Sequence, residues 1–285
     1  MKKILVTGGA GFIGSNLVRR LKNDGHRVVV LDDYSTGNSS THIEGVKYIN
    51  ADIEQIEYIK GKDIDLCFHL AALSRIQPSF DDPTECLRVN VNGTEKVMEW
   101  AHNWDIRVVY AGSSSKHHNP SESPYAMYKY LGEEVCKLYK NCFDVDVDIC
   151  RFYNVYGPGE TTDGDYAALL GIWRTQVFNS EPITIVGDGE QRRDFTHVDD
   201  IVDGLIKVSE SDIKHEDAWE LGCGVNYAIN DVAQMFRERY GCDHVYIPDQ
   251  KGNYRETLRD NDDTLVLLAW KPEDRLREYI LSLDK

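Results

Sequence analysis

Three glycines spaced Gly8-x-x-Gly11-x-x-Gly14 follow the apolar run Lys3-Ile4-Leu5-Val6 and open a stretch with Ile13, Leu17 and Leu21 at helical spacing. The pattern reads as buried strand, tight turn and helix. One glycine permits the turn, another lets the backbone approach a pyrophosphate, and the last lets helix and strand pack closely. The helix N-terminus then offers N–H groups and a positive dipole end to phosphates. The spacing differs from the commoner G-x-G-x-x-G fingerprint, so a flexible turn is the competing reading until the rest of the chain is considered.

Gly25-His26 turns into a second buried run, Arg27–Leu31, which ends at Asp32. Asp32 stands about 20 residues past the loop, where a strand-end carboxylate accepts hydrogen bonds from the adenine ribose of NAD and repels the extra phosphate of NADP. Further strands are predicted at Val46–Asn50, followed by Asp52-Ile53 within reach of an adenine, and at Asp65–Leu70, followed by the small Ala71-Ala72. A helical stretch runs from Asp82 to about Trp104. Strands follow at Arg107–Ala111, leading into Gly112-Ser113-Ser114-Ser115, and at Val145–Cys150. Strands alternating with helices predict an α/β class fold, a doubly wound parallel Rossmann sheet with ligands along the carboxyl ends of its strands. The alternation weakens later. The expected division is an NAD-binding domain over 1–155 and a smaller C-terminal substrate-binding domain over 156–285, with a strand and helix near 181–207 returning to the first.

Tyr125 and Lys129 are four apart on a predicted helix and share a face. A lysine ammonium beside a phenol favours the phenolate and lowers its pKa from about 10, which makes the tyrosine a usable general base. Tyr-x-x-x-Lys alone is common and usually an exposed face; after a serine-ended strand and a glycine loop it points to chemistry. Tyr128 has Gly132 four residues on and so lacks the cation. Gln191-Arg192-Arg193 concentrates guanidinium groups suited to a diphosphate, or to a salt-bridged turn.

The balance of charge, −16 over 285 residues with no basic run, argues against nucleic acid. No apolar run approaches the roughly 20 residues needed to span a bilayer, and Met1-Lys2-Lys3 leads directly into a strand rather than a signal peptide. Seven cysteines without a C-x-x-C pair read as reduced thiols of a cytoplasmic protein, with no metal site.

These residues together resemble the extended short-chain dehydrogenases/reductases of the NAD-dependent nucleotide-sugar epimerase and dehydratase group, the relatives of UDP-galactose 4-epimerase. The resemblance covers Thr7–Gly14, Asp32, Asp52-Ile53, His69–Ala72, Asn90–Thr94, the serine run, Tyr125/Lys129, Arg151–Gly157, Gly187–Asp199 and Arg255–Thr257. It implies a UDP-sugar 4-epimerase acting on UDP-glucose/UDP-galactose or their N-acetyl counterparts. Alternatives are another epimerase, dehydratase or reductase on a different nucleotide sugar, or a non-catalytic NAD-binding protein. It implies Tyr125 as acid/base, Lys129 as its partner, and Ser114 on the sugar hydroxyl, with Ser113 and Ser115 as rivals. NAD contacts are implied for Gly8, Gly11, Phe12, Ile13, Gly14, Asp32, Asp52, Ile53, Leu70, Ala71, Ala72, Asn90, Lys129 and Tyr153. Contacts to the sugar nucleotide are implied for Ser74, Arg75, Ser114, Ser115, Tyr125, Asn154, Arg193 and Arg255. A homodimer through the helices near Asp82–Trp104 and Ser123–Asn141 is also implied.

The chain departs from the family pattern in three places. Lys116-His117-His118-Asn119-Pro120 replaces the usual Val-Tyr-Gly segment, and the loop to Tyr125 is short, so His117 and His118 either reach substrate or are simply exposed. The acidic pair of 4,6-dehydratases is missing there, which disfavours dehydration. Gln250-Lys251-Gly252-Asn253 stands where relatives carry an arginine for the diphosphate; either Lys251 compensates or the nucleotide sits differently.

Overall fold

The computed structural model describes residues 1–284. Its strands, in chain order, are β1 (Lys3–Thr7), β2 (Arg27–Asp32), β3 (Lys47–Asn50), β4 (Leu66–His69), β5 (Arg107–Ser113), β6 (Val147–Phe152), β7 (Asn154–Tyr156), β8 (Ile183–Val186), β9 (Arg192–His197), β10 (Trp219–Leu221), β11 (Asn226–Ala228) and β12 (His244–Ile247). The longer helices are α1 (Phe12–Asn23), α2 (Ile76–Asp81), α3 (Pro83–Leu87), α4 (Gly93–Trp104), α5 (Pro124–Cys142), α6 (Leu169–Phe178), α7 (Val198–Glu210), α8 (Ile229–Tyr240), α9 (Asp263–Leu267) and α10 (Leu276–Ser282). No described helix is long and apolar enough to cross a membrane.

Seven strands form one parallel sheet in the order β3-β2-β1-β4-β5-β6-β10. Strand order reverses between β1 and β4, and at such a switch point the loops splay apart and leave a crevice. Alternate residues of a strand face opposite sides, and β1 shows what that does. Leu5 packs into one layer with Met98 and Trp100 of α4 and Cys136 of α5. Ile4 and Val6 pack into the other, with Leu17 and Leu21 of α1 and Ile201 and Leu205 of α7. Both faces of the sheet are therefore covered, as the unbroken apolar runs of its strands require.

A third apolar cluster gathers Trp173, Ile183, Ile185, Phe236 and Leu276 where α6, α8 and α10 enclose the β8–β12 pair. Here the expected return of 181–207 needs correcting. Two strands fall in that range and neither joins the main sheet: β8 pairs with β12, its Ile183 and Ile185 belonging to this third cluster, and β9 lies between β7 and β11. Helix α7 does pack on the sheet, and the strand that joins it is β10, placed at the β6 edge by the fully buried Trp219 and Leu221.

Candidate active site

A single cavity of about 670 Å³ runs along the carboxyl ends of β1, β2, β4, β5 and β6 and on towards β9. At one end Gly8 adopts φ +69°, and a Cβ there would lie 2.7 Å from the Ala71 amide nitrogen. A Cβ on Gly14 would sit 2.1 Å from the Gly8 carbonyl oxygen, so only glycine lets α1 start so close to β1. Gly11 caps α1 without a side chain, which leaves the first amides of the helix facing the cavity beside Phe12 and Ile13. The Asp32 carboxylate accepts the Ala10 amide at 2.8 Å and the Tyr34 amide at 2.9 Å. Burial raises its pKa and those amides oppose the rise. The small Ala71 and Ala72, with Leu70 and Ile53, complete this wall. A narrow slot with phosphate-binding amides at a helix start and a carboxylate at the neighbouring strand end fits a dinucleotide.

Beneath the slot, burial holds His69 neutral, with its pKa down at about 3 and the Lys129 charge adding to the effect. Its two ring nitrogens hydrogen-bond Thr7 Oγ1 and Thr94 Oγ1.

Tyr125 sits in the first turn of α5, a helix capped by the Ser123 hydroxyl and begun by Pro124. Its phenol lies 3.3 Å from Ser113 Oγ, and the same serine oxygen accepts the Ser115 amide at 3.2 Å. Ser113, one of the two rivals of Ser114, is the serine that meets the tyrosine. Strand β5 continues to Ser113, and because alternate residues share a face, Ala111 and Ser113 point together. Ser114 begins a 3₁₀ turn, borders the cavity, and makes no hydrogen bond to the tyrosine. Ser115 Oγ is buried without a partner.

Lys129 Nζ donates to the Ala111 carbonyl and sits 4.6 Å above the Tyr110 ring; burial brings it down to about 8. Burial raises Tyr125, while the Ser113 hydrogen bond and the charge of Arg75 pull it the other way. Both groups line the cavity, and the charge of Arg75 also acts on the phenol.

Towards β9, Arg193 donates to Asn253 Oδ1 and to the Arg192 carbonyl, and burial lowers it to about 10. Asn154 donates to the Asp194 carbonyl and to Thr257 Oγ1. Ser74, Tyr153, Gln191 and Gln250 complete the lining on the way.

Three expected contacts fall outside the cavity. Asp52 caps the turn after β3 through the Glu54 amide and pairs with Arg88 at 2.8 Å. Asn90 is buried and exchanges two hydrogen bonds with the Leu73 backbone, which holds the loop after β4 rather than a ligand. Arg255 is exposed and paired with Asp188 at 2.9 Å. Lys251 does not line the cavity either; its carbonyl accepts from Gln77 at 2.9 Å. Nor do the loop histidines face the cavity. His117 hydrogen-bonds Glu220 at 3.0 Å, which raises its pKa, and His118 stacks on Tyr254 at 3.9 Å. Both border a smaller hollow with Asp260.

Glu160, Tyr166 and Tyr254 also line the main cavity. Sequence reasoning missed them, since they lie in loops without periodicity; only the neighbouring glycines, Gly157 and Gly159, marked the first loop. Glu160 is buried, which raises its pKa to about 7, and its Oε2 has no partner.

With this geometry in place, comparisons with known proteins are informative. The model of the NAD dependent epimerase/dehydratase family matches residues 4–222. A putative UDP-glucose 4-epimerase of Methanocaldococcus jannaschii is 31% identical over 297 residues, 97% of this chain and 95% of the relative. The UDP-glucose 4-epimerase of Mycolicibacterium smegmatis is 31% identical over 98% of this chain and 96% of its own. The crystal structure of a UDP-glucose 4-epimerase from Thermotoga maritima with UDP-glucose superposes with a TM-score of 0.91 at 27% identity, covering 98% and 96% of the two chains.

Proposed function

Because the chain belongs to the NAD dependent epimerase/dehydratase family, we propose that it is a nucleotide-sugar 4-epimerase using NAD, with a UDP-sugar such as UDP-glucose/UDP-galactose or UDP-GlcNAc/UDP-GalNAc as substrate. The observation that carries the reading is the Tyr125–Ser113 hydroxyl pair, set in one cavity between the glycine loop and Arg193. The cofactor is read at Gly8–Gly14 and Asp32, the diphosphate at Arg193, and the sugar between them.

When bound, NAD supplies a positively charged ring and a hydride acceptor. The chain's own residues then manage the proton. Tyr125 takes the proton of the sugar O4 while the hydride leaves C4, giving a 4-keto sugar; the Ser113 hydrogen bond and the Arg75 charge oppose the burial that raises its pKa. Ser113 hydrogen-bonds both the phenol and the sugar oxygen, so the proton moves along a short path. Lys129, fixed to the Ala111 carbonyl, holds its charge at the floor of the site. The keto sugar turns about its diphosphate, held at the Arg193 end, and accepts the hydride on its other face; the Tyr125 phenol returns the proton.

Dehydration is disfavoured at the serine loop, where Lys116 pairs with Glu134 at 3.1 Å and no carboxyl pair faces the sugar. We place the protein in the cytoplasm and as a homodimer through α4 and α5, a reading supported by Trp104, Leu138 and Phe143 left partly exposed on and beside these helices. Incubation with UDP-glucose and UDP-GlcNAc without added cofactor, followed by NMR of the products, is expected to show C4 epimers. A 4-keto-6-deoxy product alone would mean a dehydratase, and no turnover of any nucleotide sugar would favour a binding protein.

A further inference from the structure

Arg75 occupies the bend between β4 and α2, with an extended backbone at φ −133° and ψ 145°. Its position relative to the proposed base is fixed from two sides. The Tyr125 amide donates to Ser79 Oγ at 3.1 Å, which ties α2 to the first turn of α5. Arg75 Nε donates to the Tyr166 carbonyl at 2.9 Å, across the cavity from its own strand end. The side chain therefore lines the same cavity as Tyr125, and its charge favours the phenolate there.

That guanidinium feels the Glu160 charge across the cavity but has no acid within ion-pair distance. Among the described residues it makes no ion pair, and its single hydrogen bond leaves both Nη groups unused. Glu160 shares the cavity, but its Oε1 accepts from the Tyr279 hydroxyl at 3.2 Å and faces Arg174 at 3.6 Å. A half-buried guanidinium with both Nη groups unpaired is costly unless a ligand engages them, and its fork matches a carboxylate in plane and spacing.

We infer that Arg75 is a specificity-determining residue that pairs with a carboxylate on the sugar, so that the preferred substrate is a nucleotide-linked sugar acid. The inference rests on the 4-epimerase reading for where the sugar lies. With O4 at Tyr125, the substituents within reach of a neighbouring side chain are those on C3 and C5. The carboxylate is then either the C6 acid of a uronic sugar or an acid carried on O3.

The test compares UDP-glucuronate with UDP-glucose, and UDP-N-acetylmuramate with UDP-GlcNAc, on the NAD-loaded protein. Affinity is read by calorimetry and turnover by NMR. One acid of the two is expected to bind with a Kd about tenfold or more lower than its neutral counterpart, and to turn over with a kcat/KM about tenfold or more higher. In Arg75→Leu that ratio is expected to collapse to near one, and in Arg75→Lys to be retained in part. Neutral sugars bound as well as or better than both acids in the wild-type protein would overturn the inference, as would an acid preference that Arg75→Leu leaves unchanged. The wild-type comparison decides the matter by itself if the leucine variant does not fold. Binding that favours an acid without turnover of any sugar would sink the epimerase reading and leave the inference standing. Epimerisation restricted to neutral sugars would do the reverse.

Discussion

Ser113, Ser114 and Ser115 are consecutive, yet among them the first is the one that meets the tyrosine. If that contact governs the reaction, Ser113→Ala is expected to lower kcat by about a hundredfold or more, the usual range for losing a positioned proton-transfer partner. Ser114→Ala should cost no more than about threefold, and steady-state epimerisation at saturating substrate checks both. Glu160 gives a second residue-level prediction. Its folded pKa of about 7 lies above its ordinary 4.5, so between those values the native chain holds a proton that the unfolded chain has released. Stability contributed by this group is therefore present below pH 4.5 and is lost as pH rises through 7. Glu160→Gln is expected to gain on the order of 2 kcal/mol relative to wild type at pH 8 and little at pH 4.5. Urea melts at the two pH values would show it; equal shifts at both would refute the assignment.

Among elements, β6 and its surroundings hold the least forgiving polar cluster. Arg151 is almost fully buried and donates to Glu133, Asp217 and Glu220, two of which are themselves buried. Arg151→Met would strand Glu133 and Glu220 without their cation, at an expected loss of about 3–5 kcal/mol in chemical denaturation. None of this was legible in the sequence, where Arg151 read only as part of a strand-end family segment. Its partners come from α5, the loop before β10 and β10 itself, and long-range pairing leaves no periodic trace. Local patterns fared better. The glycine spacing announced the β1–α1 turn because backbone contacts of a few residues' range enforce it. The strand runs around Val28, Phe68 and Val109 announced a sheet buried on both faces. The choice among the three serines was not legible in the apolar pattern, because β5 runs two residues past its last aliphatic position and polar residues continue the strand. Arg255 was misplaced for a related reason: an arginine near a motif looks the same whether it faces a cavity or, as here, an exposed aspartate.

At the scale of the molecule, the acidic surface and the partly exposed Trp104, Leu138 and Phe143 bear on assembly. A dimer formed through α4 and α5 would cover these side chains. Light scattering after gel filtration is expected to give twice the chain mass, and Leu138→Asp combined with Phe143→Asp should shift it towards one chain; a wild-type monomer at micromolar concentration would end that proposal. The last strand of the main sheet, β10, is delivered from more than sixty residues downstream of its neighbour β6, and α7, also late in the chain, roofs one face. The nucleotide-binding half is thus not a module that could be cut out, shuffled or fused by itself. A fragment ending near residue 155 would carry an open β6 edge and a bare apolar face where Ile201 and Leu205 now lie, the combination that drives aggregation. Recombination during the history of such a chain is constrained accordingly: the part that reads the sugar can drift in its loops, but its helix and strand at 198–221 must be inherited with the half they complete.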